Sequence, residues 1–218
     1  MRINDDLSRP ATMHAAALDW VPSPAKGVDR KMLYRVGAEV ARATSIVRYA
    51  PGSAFPEHVH GGGEEILVLS GTFQDEHGDY AAGSYFRNPP GTVHSPATAE
   101  GCEIFVRLWQ FREGDNAQIV RQPGEGDPIE EGLLLFDDGT ERVTLEDWSG
   151  QVTRENPRGL ELLVLSGELQ TRHASLNPLS WHRLPAGHPL TVTCGPEGAR
   201  VWLKDAPLQH PDVLTLPE

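Results

Sequence analysis

Two cysteines in 218 residues, Cys102 and Cys194, are too few and too far apart for a disulfide framework, and without CxxC spacing they form no zinc knuckle. Both are expected as small core or near-core side chains. Basic residues are also scarce: 19 Lys and Arg against 31 Asp and Glu give a net charge of −12, with no cationic cluster to grip phosphates. Direct nucleic-acid binding is not expected. No apolar run approaches the roughly 20 residues that span a bilayer. Charges also break the N-terminal MRINDDLSRPATMHAAALDW where a secretory leader needs a continuous apolar stretch. A cytoplasmic chain without membrane contact is the expectation.

What the chain does have is turn residues, 22 Gly and 18 Pro, beside 39% hydrophobic residues. That balance favours many short strands over long helices, in one domain or two. Residues 1–30 read as a Pro-punctuated arm, with room for a short helix at MHAAALDW. From Ala43 the pattern turns to β: ATSIVRY, EEILVLSG, GDYAAGSYFRN and CEIFVRLWQF are rich in β-branched and aromatic residues and separated by YAPGS, EHGDY and NPPGT. Residues 113–131 are acidic and rich in Gly and Pro, as a linker would be. A second β-like run begins at LLLF.

The chain also repeats itself. A shift of 96 positions carries Glu65-Ile66-Leu67-Val68-Leu69-Ser70-Gly71 onto Glu161-Leu162-Leu163-Val164-Leu165-Ser166-Gly167, and without a gap it pairs Gln74, Arg87, Pro89 and Gly91 with Gln170, Arg183, Pro185 and Gly187. Two copies of one β unit are expected, over residues 31–112 and 132–218.

The chemistry-bearing residues fall in the first copy. His58 and His60 are two apart in a strand and so share a face. Gly61-Gly62-Gly63 allows a close turn that returns Glu64 toward those rings, and His94 can add a third imidazole from a neighbouring strand. In the second copy the matching positions are Arg154, Asn156, Leu160 and Leu190, where no metal is expected, whereas Glu65 keeps its counterpart Glu161. Glu64 therefore varies with the histidines, and Glu65 with the scaffold. His182 and His188 lack an HxH partner strand, and His14, His77, His173 and His210 read as surface or arm residues. Strand CEIFVRLWQF alternates Glu103, Phe105, Arg107 and Trp109 with Ile104, Val106, Leu108 and Gln110. Either face could line a barrel.

Gly52, His58, His60, Glu64 and Gly71 fit the first cupin motif, G(X)5HXH(X)3,4E(X)6G, at each fixed position. Gly83, Pro89, Gly91 and His94 fit the second, G(X)5PXG(X)2H(X)3N, with Thr98 in place of Asn. The chain thus resembles the cupins. The wording of GGGEEILVLSGTF, DEHGDY and RNPPGTVHSP is similar to the ChrR-type group, which includes anti-sigma factor domains and relatives resembling dioxygenases of diketones or hydroxyacetophenones. The resemblance implies an all-β fold of two tandem RmlC-like jelly-roll barrels, the second degenerate. It also implies one divalent transition metal at His58, His60, Glu64 and His94.

That ligand set suits Zn, Fe(II), Mn, Ni or Co. It fits a metal-dependent dioxygenase-like enzyme or a ChrR-like sensor module, either of which would take a small-molecule ligand or substrate, and a homodimer is compatible with both. Catalytic and substrate-binding residues beyond the ligands are not identified. The ChrR-type factor carries a helical, zinc-holding sigma-binding domain ahead of its cupin. Here no cysteine precedes Cys102, so direct inhibition of a sigma factor is not expected.

Overall fold

The structure is a computed structural model and describes residues 1–217. It is built of antiparallel strands, and its short 3-10 turn at Ala15–Ala17 is what forms within MHAAALDW. None of its helices is long and apolar enough to cross a membrane.

Two compact units emerge, each around its own sheet. The first comprises Met1–Asp5, Asp19–Gly124 and His210–Glu218. Its sheet runs Arg2–Ile3, Val28–Gly37, Ala41–Tyr49, Cys102–Leu108, Glu64–Asp75, Tyr85–Asn88, Ile119–Arg121. The pair His58–Val59 and Val93–His94 forms a separate small sheet, with His94 opposite His58. The second unit comprises Asp6–Leu18 and Glu125–Gln209. Its sheet runs Asp127–Ile129, Gly132–Asp137, Arg142–Trp148, Leu190–Asp205, Gly159–Gln170, Ser180–Pro185, Ala11–His14.

The boundaries differ in detail from the sequence expectation. Residues 11–14, inside the supposed arm, pair with the Ser180–Pro185 strand, and the supposed linker contributes the edge strands Ile119–Arg121 and Asp127–Ile129. Pairing between distant segments leaves no local mark in composition, which is why neither was visible.

The repeated LVLSG has a common geometric cause. In both copies the pairing slips by one residue just before Ser-Gly, at Leu69 and at Leu165. The following glycine then sits at positive φ, +69° for Gly71 and +75° for Gly167. A Cβ there would lie 2.1 Å from the Gly101 carbonyl oxygen and 2.0 Å from that of Gly198, so only glycine fits.

Within each unit the inner face of the sheet is apolar. Ile66, Val68, Phe73, Phe86, Ile104 and Val106 cluster in the first, and Leu160, Leu162, Val164, Leu190, Val201 and Leu203 in the second. Each such side chain contributes about 1.5–3 kcal/mol on burial. Cys102 is buried and Cys194 half-buried, both as free thiols.

Candidate metal centre

Glu64 opens the Glu64–Asp75 strand and points to its inner face, together with Ile66 and Val68, while Glu65 points to the other. His58, His60 and His94 converge on Glu64: one nitrogen or oxygen from each of the four residues lies within 4.8 Å of the others. Among the described residues this is the group of His, Cys, Asp and Glu able to hold an ion. The ring centroids stand 5.0 Å apart for His58 and His60, 5.1 Å for His58 and His94, and 4.5 Å for His60 and His94.

Each imidazole has its Nδ1 engaged away from the centre. The Thr92 hydroxyl donates to the Pro89 carbonyl at 2.7 Å, so its lone pair accepts the Nδ1–H of His60 at 2.8 Å. His58 Nδ1 lies 3.0 Å from the Pro56 carbonyl, and His94 Nδ1 lies 3.2 Å from the Asp75 carboxylate. These acceptors hold a proton on Nδ1, so that each imidazole, once Nε2 is deprotonated, presents its lone pair inward, the form in which imidazole ligates a metal.

Nε2 of His60 and of His94 then stand 3.2 and 3.3 Å from Oε2 of Glu64. Neither has a hydrogen-bond partner of acceptable geometry, although both atoms are buried. Such orphaned nitrogens beside one carboxylate oxygen are costly in an empty interior and are satisfied by a shared cation, whose ligands sit about 2.0–2.2 Å from it. The residues present therefore fit a metal ion.

Burial alone would raise the Glu64 carboxyl, but the imidazoles of His60 and His94 standing beside it hold it well below the usual range. Burial likewise works against the His94 cation, yet Asp75 and Glu64 outweigh it and push the group up to about 9. Burial lowers His58.

Glu65 does different work. Its carboxylate accepts from the Tyr85 hydroxyl and from Arg107 Nη1, each at 2.6 Å. In the second copy Trp181 stands at the position of Tyr85, and its indole donates to Glu161 at 3.3 Å. The retained glutamate thus braces the back of the sheet in both units.

The three glycines owe less to turn geometry than their permissiveness suggests. Only Gly63 has positive φ, at +78°. Gly61 and Gly62 lack side chains because the indole of Trp109 lies on them: a Cβ on Gly62 would be 2.1 Å from Trp109 Cδ2. Trp109 itself is left-handed, at φ +57°, and this ends the alternation of its strand.

Above the cluster lies a cavity of about 430 Å³, lined by His58, His60 and Glu64 at its polar end and by Phe55, Val106 and Trp109 among its apolar walls. The face of CEIFVRLWQF that lines it is Ile104, Val106 and Leu108, joined by Trp109 because of its backbone twist. Arg107 is on the far side, bound to Glu65 and to Oε1 of Gln110 at 2.7 Å. Thr98, the departure from the cupin pattern, bridges Thr72 O at 2.7 Å and the Gly101 amide at 3.0 Å, a purely structural bond pair.

In the second unit, a cavity of about 320 Å³ is lined by Arg154 and Leu160, the counterparts of His58 and Glu64. Arg154 pairs there with Glu131 and, at 2.6 Å, with Glu146. Asn156, the counterpart of His60, is consumed by the carbonyls of Leu184, Pro185 and His188, and Leu160 and Leu190 belong to the apolar core. His182 faces Thr12 Oγ1 at 2.8 Å rather than an ion site. His14, His77, His173 and His188 are exposed, and His210 is half-buried.

Sequence reasoning did not find Asp75, Thr92 or the Pro56 carbonyl, the partners that orient the histidines. Their role is set by how the chain crosses the small sheet, and no spacing rule announces it.

Comparison with known proteins places the fold. Protein Ylba from E. coli shares the fold, with a TM-score of 0.72 at 17% identity over 92% of each chain. Bacterial pirin YhhW of Escherichia coli, solved in complex with nickel(II), gives 0.68 at 14% identity over 91% of this chain and 99% of that one. A point mutant of oxalate decarboxylase OxdC of Bacillus subtilis gives 0.58 at 15% over 90% and 77%. No curated protein matches the sequence. Residues 8–112 match the family model described as ChrR Cupin-like domain, the stretch that contains all four clustered residues. Over those residues the chain is similar to the ChrR cupin-like domain family.

Proposed function

We propose that the first unit holds one divalent transition metal through Nε2 of His58, His60 and His94 and a carboxylate oxygen of Glu64, and offers it to a small molecule in the adjoining cavity. The observation that carries this is the set of imidazoles whose Nδ1 atoms are all engaged outward while two buried Nε2 atoms have no partner but Glu64. A bound transition metal of this ligand class supplies Lewis-acid and one-electron chemistry. The chain's part is to orient the ligands through Asp75, Thr92 and Pro56, to keep bulk water from the apolar walls, and to hold the small molecule against the polar end. The reading we favour is a dioxygenase-like enzyme acting on a diketone or hydroxyaryl ketone, as the resemblance to cupin dioxygenases suggests.

The second unit we read as a cupin copy without its metal. Its strands follow the same order as those of the first, and each metal-ligand position holds a residue with another job.

The ChrR description of the matched family supports a second reading, a sensor module whose ion is held for structure or signalling. Metal analysis of protein purified without added metal, combined with oxygen uptake across diketones and hydroxyaryl ketones, separates the two. Iron with substrate-dependent uptake supports the enzyme. Stoichiometric zinc without uptake refutes it in favour of the sensor.

A further inference from the structure

Tyr49 ends the Ala41–Tyr49 strand, on the inner face of the first unit. Its ring is buried and stands edge-on to Phe73, centroids 5.9 Å apart, and it lines the same cavity as His58, His60 and Glu64. Among the described residues the hydroxyl has no hydrogen-bond partner, and it is not one of the polar atoms sealed from solvent. A phenol left without a protein partner on a cavity wall is a donor kept for a ligand.

The second unit shows what this position can do. Tyr49 is paired with Cys102, and Cys102 with Gly71. Trp148 is paired with Ala199, and Ala199 with Gly167, the repeat partner of Gly71. Tyr49 and Trp148 therefore occupy one position of the repeated sheet. The Trp148 indole N–H donates to Glu146 at 2.7 Å, and that same carboxylate holds Arg154, the counterpart of His58. Two residues before Tyr49, where the second unit has Glu146, the first has Val47. Its donor is in place, and its acceptor is missing from the protein.

We propose that the Tyr49 hydroxyl donates a hydrogen bond to an oxygen atom of the small molecule held in this cavity. The ligand is then gripped at two polar points, the ion site and the phenol, with apolar walls between. Its class follows: a small, mainly apolar molecule with at least two oxygens, one of them anionic. Burial foremost, helped by the Glu64 carboxylate, pushes the phenol well above the ordinary tyrosine range, so it remains a donor at any working pH.

The proposal rests on the metal reading above, and the test keeps the two apart. Tyr49→Phe removes only the hydroxyl. Metal content of wild type and variant is measured first, with His58→Ala as the metal-poor control. Acetylacetone, catechol and acetate are then titrated into both metal-loaded proteins. Equal metal content, with whichever probes bind wild type weakened on the order of tenfold to a hundredfold in Tyr49→Phe, is the expected result. Equal affinities, failure of all three probes to bind the metal-loaded wild type, or loss of metal from Tyr49→Phe would each overturn the role of Tyr49 while the ion site stands. A wild type that retains no metal removes the ion site, and Tyr49 with it.

Discussion

Glu64 and Glu65 are neighbours on one strand and face opposite ways: Oε2 of Glu64 lies 3.2 Å from His60 Nε2, whereas Oε2 of Glu65 accepts from Arg107 at 2.6 Å. Substitutions should separate them. Glu64→Gln, His58→Ala and His94→Ala are expected to lose metal stoichiometry, read by elemental analysis of the purified protein. Glu65→Gln is expected to keep it in the folded fraction, yet to destabilise the protein by about 3 kcal/mol, since Arg107 is left as a buried charge with a weaker partner. Full metal in His58→Ala, or none in folded Glu65→Gln, would reverse the assignment.

Metal affinity should depend on pH through His94. In the metal-free protein this group, raised to about 9, carries protons on both nitrogens near neutrality, and an incoming ion must displace one. Apparent affinity is expected to rise about tenfold per pH unit as pH climbs toward about 9, then to level off. Calorimetry in buffers of different ionisation enthalpy should detect about one proton released per ion near neutral pH. Asp75→Asn should shift that dependence to lower pH, because it removes the negative charge that helps sustain the His94 cation. Zero proton release would contradict the scheme.

Gly62→Ala should act through Trp109. The added methyl overlaps the indole, and overpacking of this kind costs about 1–3 kcal/mol. In a double-mutant cycle with Trp109→Ala the cost should largely vanish, giving a coupling energy well outside additivity. Strictly additive urea-unfolding free energies would mean that the glycine is needed for some other reason.

The second unit should weaken in mild acid. Burial holds His182 down to about 4, against an ordinary value of about 6.5 in the unfolded chain. Between those limits the unfolded state binds a proton that the folded state refuses. Stability from this group is therefore complete above about 6.5 and falls as pH drops toward about 4. His182→Gln should flatten that slope in hydrogen exchange of the paired Leu162 amide. An unchanged slope would assign the acid sensitivity to other groups.

The four clustered residues were legible because metal ligation demands fixed residue types at fixed spacings, and the repeat sorted Glu64 from Glu65, since Leu160 stands at the matching position of the one and Glu161 at that of the other. The Gly run was legible only in part. Composition offered backbone freedom, whereas the structure uses two of the three glycines to seat Trp109, from a strand more than forty positions on. Tyr49, Asp75 and Thr92 carried no mark, since their roles arise from sheet register and chain crossing rather than from local pattern. Residues 11–14 were hidden for the same reason, as their partner strand lies at Ser180–Pro185.

Arg154 has a consequence for how the two halves of this chain depend on their surroundings. A guanidinium tethered at the position of His58 is a cation that cannot be stripped by a chelator, exchanged for a competing ion or lost in metal starvation. Residues 125–209 carry their positive charge in the covalent chain, so their folding should be indifferent to metal supply, while the first unit, holding an ion as proposed, would gain stability in proportion to the logarithm of free metal. One polypeptide would thus contain a metal-responsive half and a half made permanently immune.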